Sequence, residues 1–321
     1  MSAHATQRSP GGRALFGALT VALLAVSSAA LWIRVSRAPA LTLSFWRLTY
    51  ATALLLPFGA RPALRGLRAL SARERGLVAL SGVALALHFA FWIASLAPSS
   101  PYATSVAASA TLVAVHPALV AALSPWLSRR PAPRGAWVGI AFALLGAGVI
   151  AAGDARGAHR LAGDGLAFLG AVAGAAYFLL GARLRPRLSL LAYVLPVYAT
   201  AALVLGALAA AFEQPLGGLG AREHALFLAL AVLPMLVGHT LLNWALGHLP
   251  AWTVSATILA EPVASSVLVF VALGEAAPAA SAAGAALVLT GLAAVTRASR
   301  AGAATSPRAA APPLSLSGEG L

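Results

Sequence analysis

Long apolar runs broken by short clusters of Pro, Gly and Arg set the rhythm of this chain. Ten of them reach the roughly 20 residues that an α-helix needs to cross a bilayer. They lie near 14–33, 40–58, 76–97, 103–127 and 135–152, then 164–182, 188–212, 222–247, 251–273 and 279–297. The connections are short and punctuated, as in RPALRGLRALSARER at 61–75 and SRRPAPR at 128–134, so no stretch remains for an aqueous domain. The pattern therefore predicts an all-α membrane protein of ten transmembrane helices, with a segment 1–13 before them. A tail at 298–321, rich in Ala, Pro and Ser, is expected to be disordered. The first run has a basic front and small residues near Ser27 to Ala30, the marks of a secretory signal. Its apolar length of about 20 residues exceeds the roughly 7–15 of a signal core, which predicts an uncleaved first helix.

The runs fall into two sets of five, 14–153 and 164–297, that echo one another. Pro117 and Pro262, Gly139 and Gly284, and Gly146 and Gly291 are each 145 positions apart (262 − 117), as are Trp32 and Tyr177. HFAFWIA from His88 aligns with HTLLNWA from His239 at 151 (239 − 88), and the extra six residues fall on APSSPYA, which has no counterpart. An odd number of crossings turns the second copy over, so the sequence predicts two inverted five-helix repeats. In such folds a solute site lies near the midplane between the copies.

Composition agrees with lipid as the solvent: 60% of residues are hydrophobic and only 9% charged. A net charge of +14 raises the question of nucleic acid, but the basic residues, all 22 of them Arg, are scattered through short connections rather than gathered on one domain. With the N-terminus inside, sixteen arginines fall on the cytoplasmic side and five on the other, while Arg47 lies inside the second run. That bias predicts both termini in the cytoplasm. The lysine-free, Ala-rich composition suggests a GC-rich bacterial genome, and so the inner membrane of a bacterium. There is no cysteine, which removes disulfides, thiolate metal sites and cysteine nucleophiles.

An ionisable side chain at the bilayer centre costs roughly 2.5–3.5 kcal/mol to insert. Glu261 is in that position. Pro262 after it removes a backbone donor and is expected to leave the Ile258 carbonyl without its usual partner, weakening the helix there. Glu261 is thus a candidate to titrate during transport or to bind a cationic part of a solute; the plainer alternative is a protonated Glu bonded across a helix interface. His116, just before Pro117, holds the matching place and is either a proton relay or an interhelical hydrogen-bonding group. His239 and Asn243 share one helix face, as His88 and Trp92 do. Each pair is either a polar and aromatic cavity lining or interhelical packing. Tyr177 lies deep in the sixth run, whereas Trp32 is placed as an interfacial anchor. Arg47, about two turns inside its span, either snorkels outward or pairs with an acid, and a structural role suits it at least as well. Gly139 with Gly146, and Gly284 with Gly291, lie seven apart and are expected to let the fifth and tenth spans pack closely rather than touch solute.

The run GHTLLNWAL from Gly238, then LPAWTVSATILAEPV from Leu249, then LGE ending at Glu275 before a helix with Gly284 and Gly291, resembles the second repeat of an EamA-type transporter of the drug/metabolite transporter superfamily. A weaker version in the first half extends the resemblance over about 14–297. It implies a secondary transporter that works by alternating access, often exporting an amino acid or related small metabolite, with coupling to protons through Glu261 or none. It implies pore-lining helices for His88, Trp92, His239 and Asn243, and it includes an Arg at position 47. One departure stands out: the first repeat of the family often ends its fourth helix with Glu, and the position matching Glu275 here is Arg130.

Several other chemistries lack their motifs. There is no GxxxxGK[ST] to cradle ATP, no HExxH spacing and no GxSxG elbow, so no cofactor, metal or catalytic residue is expected. The expected partners are a small solute, the bilayer and protons, with the chain as a monomer or homodimer and without nucleic acid. The competing readings are efflux of drugs or lipid-linked substrates through a cavity opening sideways, an integral membrane enzyme using His and Glu as acid and base, and a scaffold subunit without turnover.

Overall fold

The computed structural model describes residues 10–104, 106–127, 131–153, 160–274 and 280–305. Among them the chain is all-helical. The first half contains α1 (Gly12–Ser27), α2 (Ala29–Val35), α3 (Ala40–Ala69), α4 (Ala72–Leu96), α5 (Val106–Val113), α6 (His116–Leu127) and α7 (Arg134–Gly153). The second contains α8 (Arg160–Leu184), α9 (Leu190–Ala211), α10 (Ala221–Leu230), α11 (Thr240–Leu246), α12 (Ala251–Ala256), α13 (Glu261–Leu273) and α14 (Ala280–Thr305). A wide π-helical stretch, Ala231–His239, joins α10 to α11 around Pro234, and a tight 3-10 turn, Thr257–Ala260, joins α12 to α13.

Six helical stretches among the described residues are long and apolar enough to cross a membrane: Gly12–Val35, Ala72–Leu96, Leu161–Leu184, Leu190–Ala211, Ala221–Leu246 and Ala251–Ala272. Large apolar side chains also face outward, with Leu203 and Val271 each 75% exposed and Phe58 72% exposed. Such a surface is stable against lipid tails and costly in water. The protein is a membrane-embedded, multi-span protein.

Two expectations about segment ends need correction. The stretch 61–75 is not a loop: α3 continues through Pro57 and Pro62 to Ala69, and α4 begins at Ala72. Each proline deletes a single backbone donor from a 30-residue helix, while the Ala, Leu and Arg around them are strong helix formers. The turn is only Leu70 and Ser71, where Ser71 and Glu74 close a capping box on α4. The tail is likewise helical as far as Thr305, because Ala and Arg outweigh its few breakers there. Residues 306–321, and with them the rest of the expected disordered tail, lie outside the described residues.

The bundle is held by a few extensive helix pairings: α3 on α9, α4 on α8, α7 on α14, and α1 against 231–239. The α7–α14 contact shows why small residues stand where they do. A Cβ on Gly139 would lie 2.5 Å from the Gly291 carbonyl oxygen, and one on Gly146 would lie 2.5 Å from that of Gly284. Only glycine lets the two backbones meet this closely.

Candidate functional site

Both halves interrupt a helix immediately before an ionisable residue that is followed by proline. In the first, α5 stops at Val113 and α6 starts at His116; in the second, the 257–260 turn stops where Glu261 starts α13. The backbone there is not left open in the expected way. The Glu261 N–H donates to the Ile258 carbonyl, so tightening the helix by one residue supplies the partner that Pro262 cannot. What the break achieves is direction: it ends one helix and starts another so that the side chain at the junction points into the middle of the bundle.

A cavity lies at that point. Its walls include Arg47 from α3, His88 and Trp92 from α4, His116 from α6, Tyr177 from α8, His239 at the end of the π-helical stretch, and Glu261 from α13. The His88 Nδ1–H donates to the Gly170 carbonyl at 2.8 Å, and its ring stacks on Trp92 with centroids 5.9 Å apart. Gly174 makes room for it, since a Cβ there would sit 2.9 Å from His88 Nδ1. The His116 Nδ1–H donates to the Val113 carbonyl at 3.1 Å, which leaves Nε2 without a partner. His239 meets the rings of Phe89 and Tyr177 edge-on or tilted, at 5.2 and 6.2 Å.

Arg47 is the least expected member of this wall. It is fully buried, none of its three side-chain nitrogens has a hydrogen-bond partner, and its guanidinium lies 3.9 Å from the centroid of the Phe89 ring. A cation–π contact stabilises the charge but fills none of its five N–H donors. Trp92 Nε1, His116 Nε2 and His239 Nδ1 are also buried and unpaired. Buried polar atoms are rarely left unpaired. These four residues line one space together with the half-buried Glu261, whose charge is near enough to act on Arg47. The arrangement offers, within one cavity, donors to an anionic group and an acceptor to a cationic group.

Asn243 does not line the cavity. Its amide donates to the Tyr177 hydroxyl and, at 2.8 Å, to the His239 carbonyl. Its own carbonyl accepts from Arg185 Nε at 2.9 Å. It fixes the wall from behind. Trp32 is likewise not among the lining residues. Glu275 and Arg130 lie outside the described residues. Among the described residues no three His, Asp or Glu side chains form a cluster able to hold a metal ion.

Comparison with known proteins adds a family to this geometry. Residues 161–297 match the EamA-like transporter family. That segment, a little less than half of the chain, is similar to the family. The family is part of the drug/metabolite transporter superfamily. Among curated proteins nothing matches the chain. Among solved structures, one crystal structure of a protein with 20% sequence identity covers 89% of this chain and 99% of its own, with a TM-score of 0.71. The shared fold therefore extends through both halves and well beyond the EamA-like segment.

The EamA-like half and the half before it are also tied together at both ends of the bundle. At one end Glu223, in the first turn of α10, accepts from the Ser36 hydroxyl at 2.6 Å, from the Arg37 N–H at 3.3 Å and from Arg222 at 2.8 Å. The 212–224 connection straps α3 there, through Gln214 to Leu41 N–H and through the Leu216 carbonyl to Trp46 Nε1. At the other end Glu74, in the first turn of α4, pairs with Arg187. Neither glutamate stood out in the sequence, because a helix-capping acid at a span end is ordinary. Between these ends the cavity is tight. It contains about 450 Å³ of space between atoms, of which about 20 Å³ admits the centre of a water molecule. That is room for roughly one water.

Proposed function

We propose that this protein is a secondary transporter that carries a small metabolite across the inner membrane of a bacterium by alternating access. In this reading its ten transmembrane helices form two inverted repeats, 14–153 and 164–297, with both termini cytoplasmic. The pattern of helix packing supports the inversion. When the halves are exchanged, the α3–α9 and α7–α14 contacts map onto themselves, and α4–α8 maps onto 231–239 with α1. The arginine bias supports the orientation.

The observation that carries the transport reading is the narrow central cavity, to which one half brings an unpaired Arg47 and the other Glu261. Opposite charges lining one cavity suit a solute with both a carboxylate and an amino group, which favours an amino acid or related compound over a drug or a lipid-linked substrate. The clustering of three histidines and a glutamate keeps an acid–base enzyme as the second reading, but none of the described residues that line the cavity is a serine or threonine, and the chain has no cysteine.

In this mechanism Glu261 exchanges a proton when the cavity opens to one side and binds the solute's cationic group when deprotonated. Export of the solute in exchange for entering protons is the direction that the resemblance favours. Proteoliposomes loaded with a panel of amino acids test the proposal: flux of unaltered solute is expected, and chemical conversion of the solute without flux would replace transport by catalysis. Glu261→Gln is expected to keep the protein folded and to abolish the pH dependence of that flux. An unchanged pH profile removes Glu261 from proton coupling.

A further inference from the structure

Exchanging the halves carries Glu223 close to Glu74, since the two are 149 positions apart (223 − 74), near the 151 that relates His88 and His239. Each sits in the first turn of its helix at one end of the bundle. Their surroundings are not alike. Glu223 is enclosed by a hydroxyl, a backbone N–H and one arginine, and that arginine, Arg222, also donates to the Val35 carbonyl at 2.7 Å. Donors and acceptors balance there within the protein.

At the Glu74 end they do not. A second cavity, with about 420 Å³ open to the centre of a water molecule, is lined by Arg73, Arg183 and Arg187, by Ser71 and Glu74, and by Leu77 and Leu184. Glu74 is already engaged by the Ser71 N–H and hydroxyl and by Arg187. The Arg73 and Arg183 side chains have no hydrogen bond or ion pair to any described residue. Among the described residues the pocket thus holds three guanidinium groups and a single carboxylate, and it lies where two membrane-spanning stretches end, at Ala72 and at Leu184. Guanidinium pairs with phosphate bidentately, and basic pockets between helices at the membrane surface suit acidic headgroups.

We propose that this pocket binds the phosphate of an anionic phospholipid, held by Arg73 and Arg183, with Leu77 and Leu184 as the apolar part of the site. Free phosphate presents the same oxygens, but it gains nothing from those leucines or from the pocket's position at the end of two spans. The proposal does not rest on the transport reading, because binding is measured without flux.

The test uses the purified full-length protein in detergent, incubated with equal amounts of phosphatidylglycerol and phosphatidylcholine, with retained lipid counted by native mass spectrometry. Phosphatidylglycerol is expected to be retained at least about tenfold over phosphatidylcholine, and excess inorganic phosphate is expected not to displace it. Arg73→Gln with Arg183→Gln is expected to erase the preference. The paired lysine variant should keep most of it, and Arg222→Gln, at the opposite end, should keep all of it. Equal retention of the two lipids, or a preference that survives the glutamine pair, overturns the proposal. Displacement by inorganic phosphate overturns the lipid assignment in favour of a free anion. Loss of the preference in the lysine and glutamine pairs alike, with lowered melting temperatures, assigns the arginines to folding and also overturns it.

Discussion

Where one half of the molecule carries an imidazole, the other carries a carboxylate. His116 and Glu261 each begin a helix after a broken turn and each precede a proline. Yet His116 is buried with Nδ1 committed to its own backbone, while Glu261 is half-buried at the cavity wall. The ends of the bundle differ in the same way, with Glu223 saturated by internal donors and Glu74 standing among arginines in excess. The repeated backbone places side chains at equivalent points. What is done there depends on substitutions that broke the equivalence, and they leave each half supplying one sign of charge to the centre.

The strongest way to break this comparison is to remove the first half's charge. Arg47→Met keeps most of the apolar stem and the volume but takes away every donor. Hydrogen bonds to charged groups are worth about 1.5–3 kcal/mol, so flux of a carboxylate-bearing solute in proteoliposomes is expected to fall roughly ten- to hundredfold. Normal flux in a folded Arg47→Met protein would mean that the solute does not meet the guanidinium.

A second measurement asks how far the halves remain equivalent where no charge is involved. Gly146→Val and Gly284→Val meet at one crossing, and overpacking of this kind costs about 1–3 kcal/mol. Both variants should lower the melting temperature by similar amounts. A large drop in one and none in the other would show that α7 and α14 do not share the contact equally.

The ends give the smallest effects. Ser36→Ala removes a buried hydroxyl that donates to the Glu223 carboxylate and is expected to cost about 1.5 kcal/mol in a melting experiment. At the other end, the backbone N–H and hydroxyl of Ser71, and then Arg187, hold the Glu74 carboxyl below its usual range. A carboxyl depressed in the folded state contributes stability that is present above its unfolded pKa and is lost as pH falls through the folded one. Melting temperature should therefore decline on acidification below about pH 4.5, and less so in Glu74→Gln. An identical decline in that variant would show that Glu74 adds nothing measurable.

Much of this was legible in the sequence, and the reasons are physical. Span length and the proline after each ionisable residue mark where helices cross and where they break, because lipid leaves the backbone few alternatives. The second-half site followed from position: Glu261, His239 and Tyr177 all reach the cavity. Arg47 was harder to place. A lone arginine two turns inside a span snorkels or pairs equally well on paper, and only its burial without a partner distinguishes the two. The signal that was available is that α3 carries no acid to pair with it. The end of α3 misled because prolines and arginines also make loops, and the Glu223 and Glu74 contacts join residues more than 100 positions apart. No local pattern announces them.

The wide turns at Ala231–His239 concern time rather than place. A π-helical stretch holds one more residue in each turn than the helices it joins, and sliding that surplus along the rod rotates every side chain it passes, at the cost of a few re-made backbone bonds. His239 stands at the end of it. A ring at the tip of such a dislocation can swing without any helix tilting, so a local twist is expected to run ahead of any rocking of the whole.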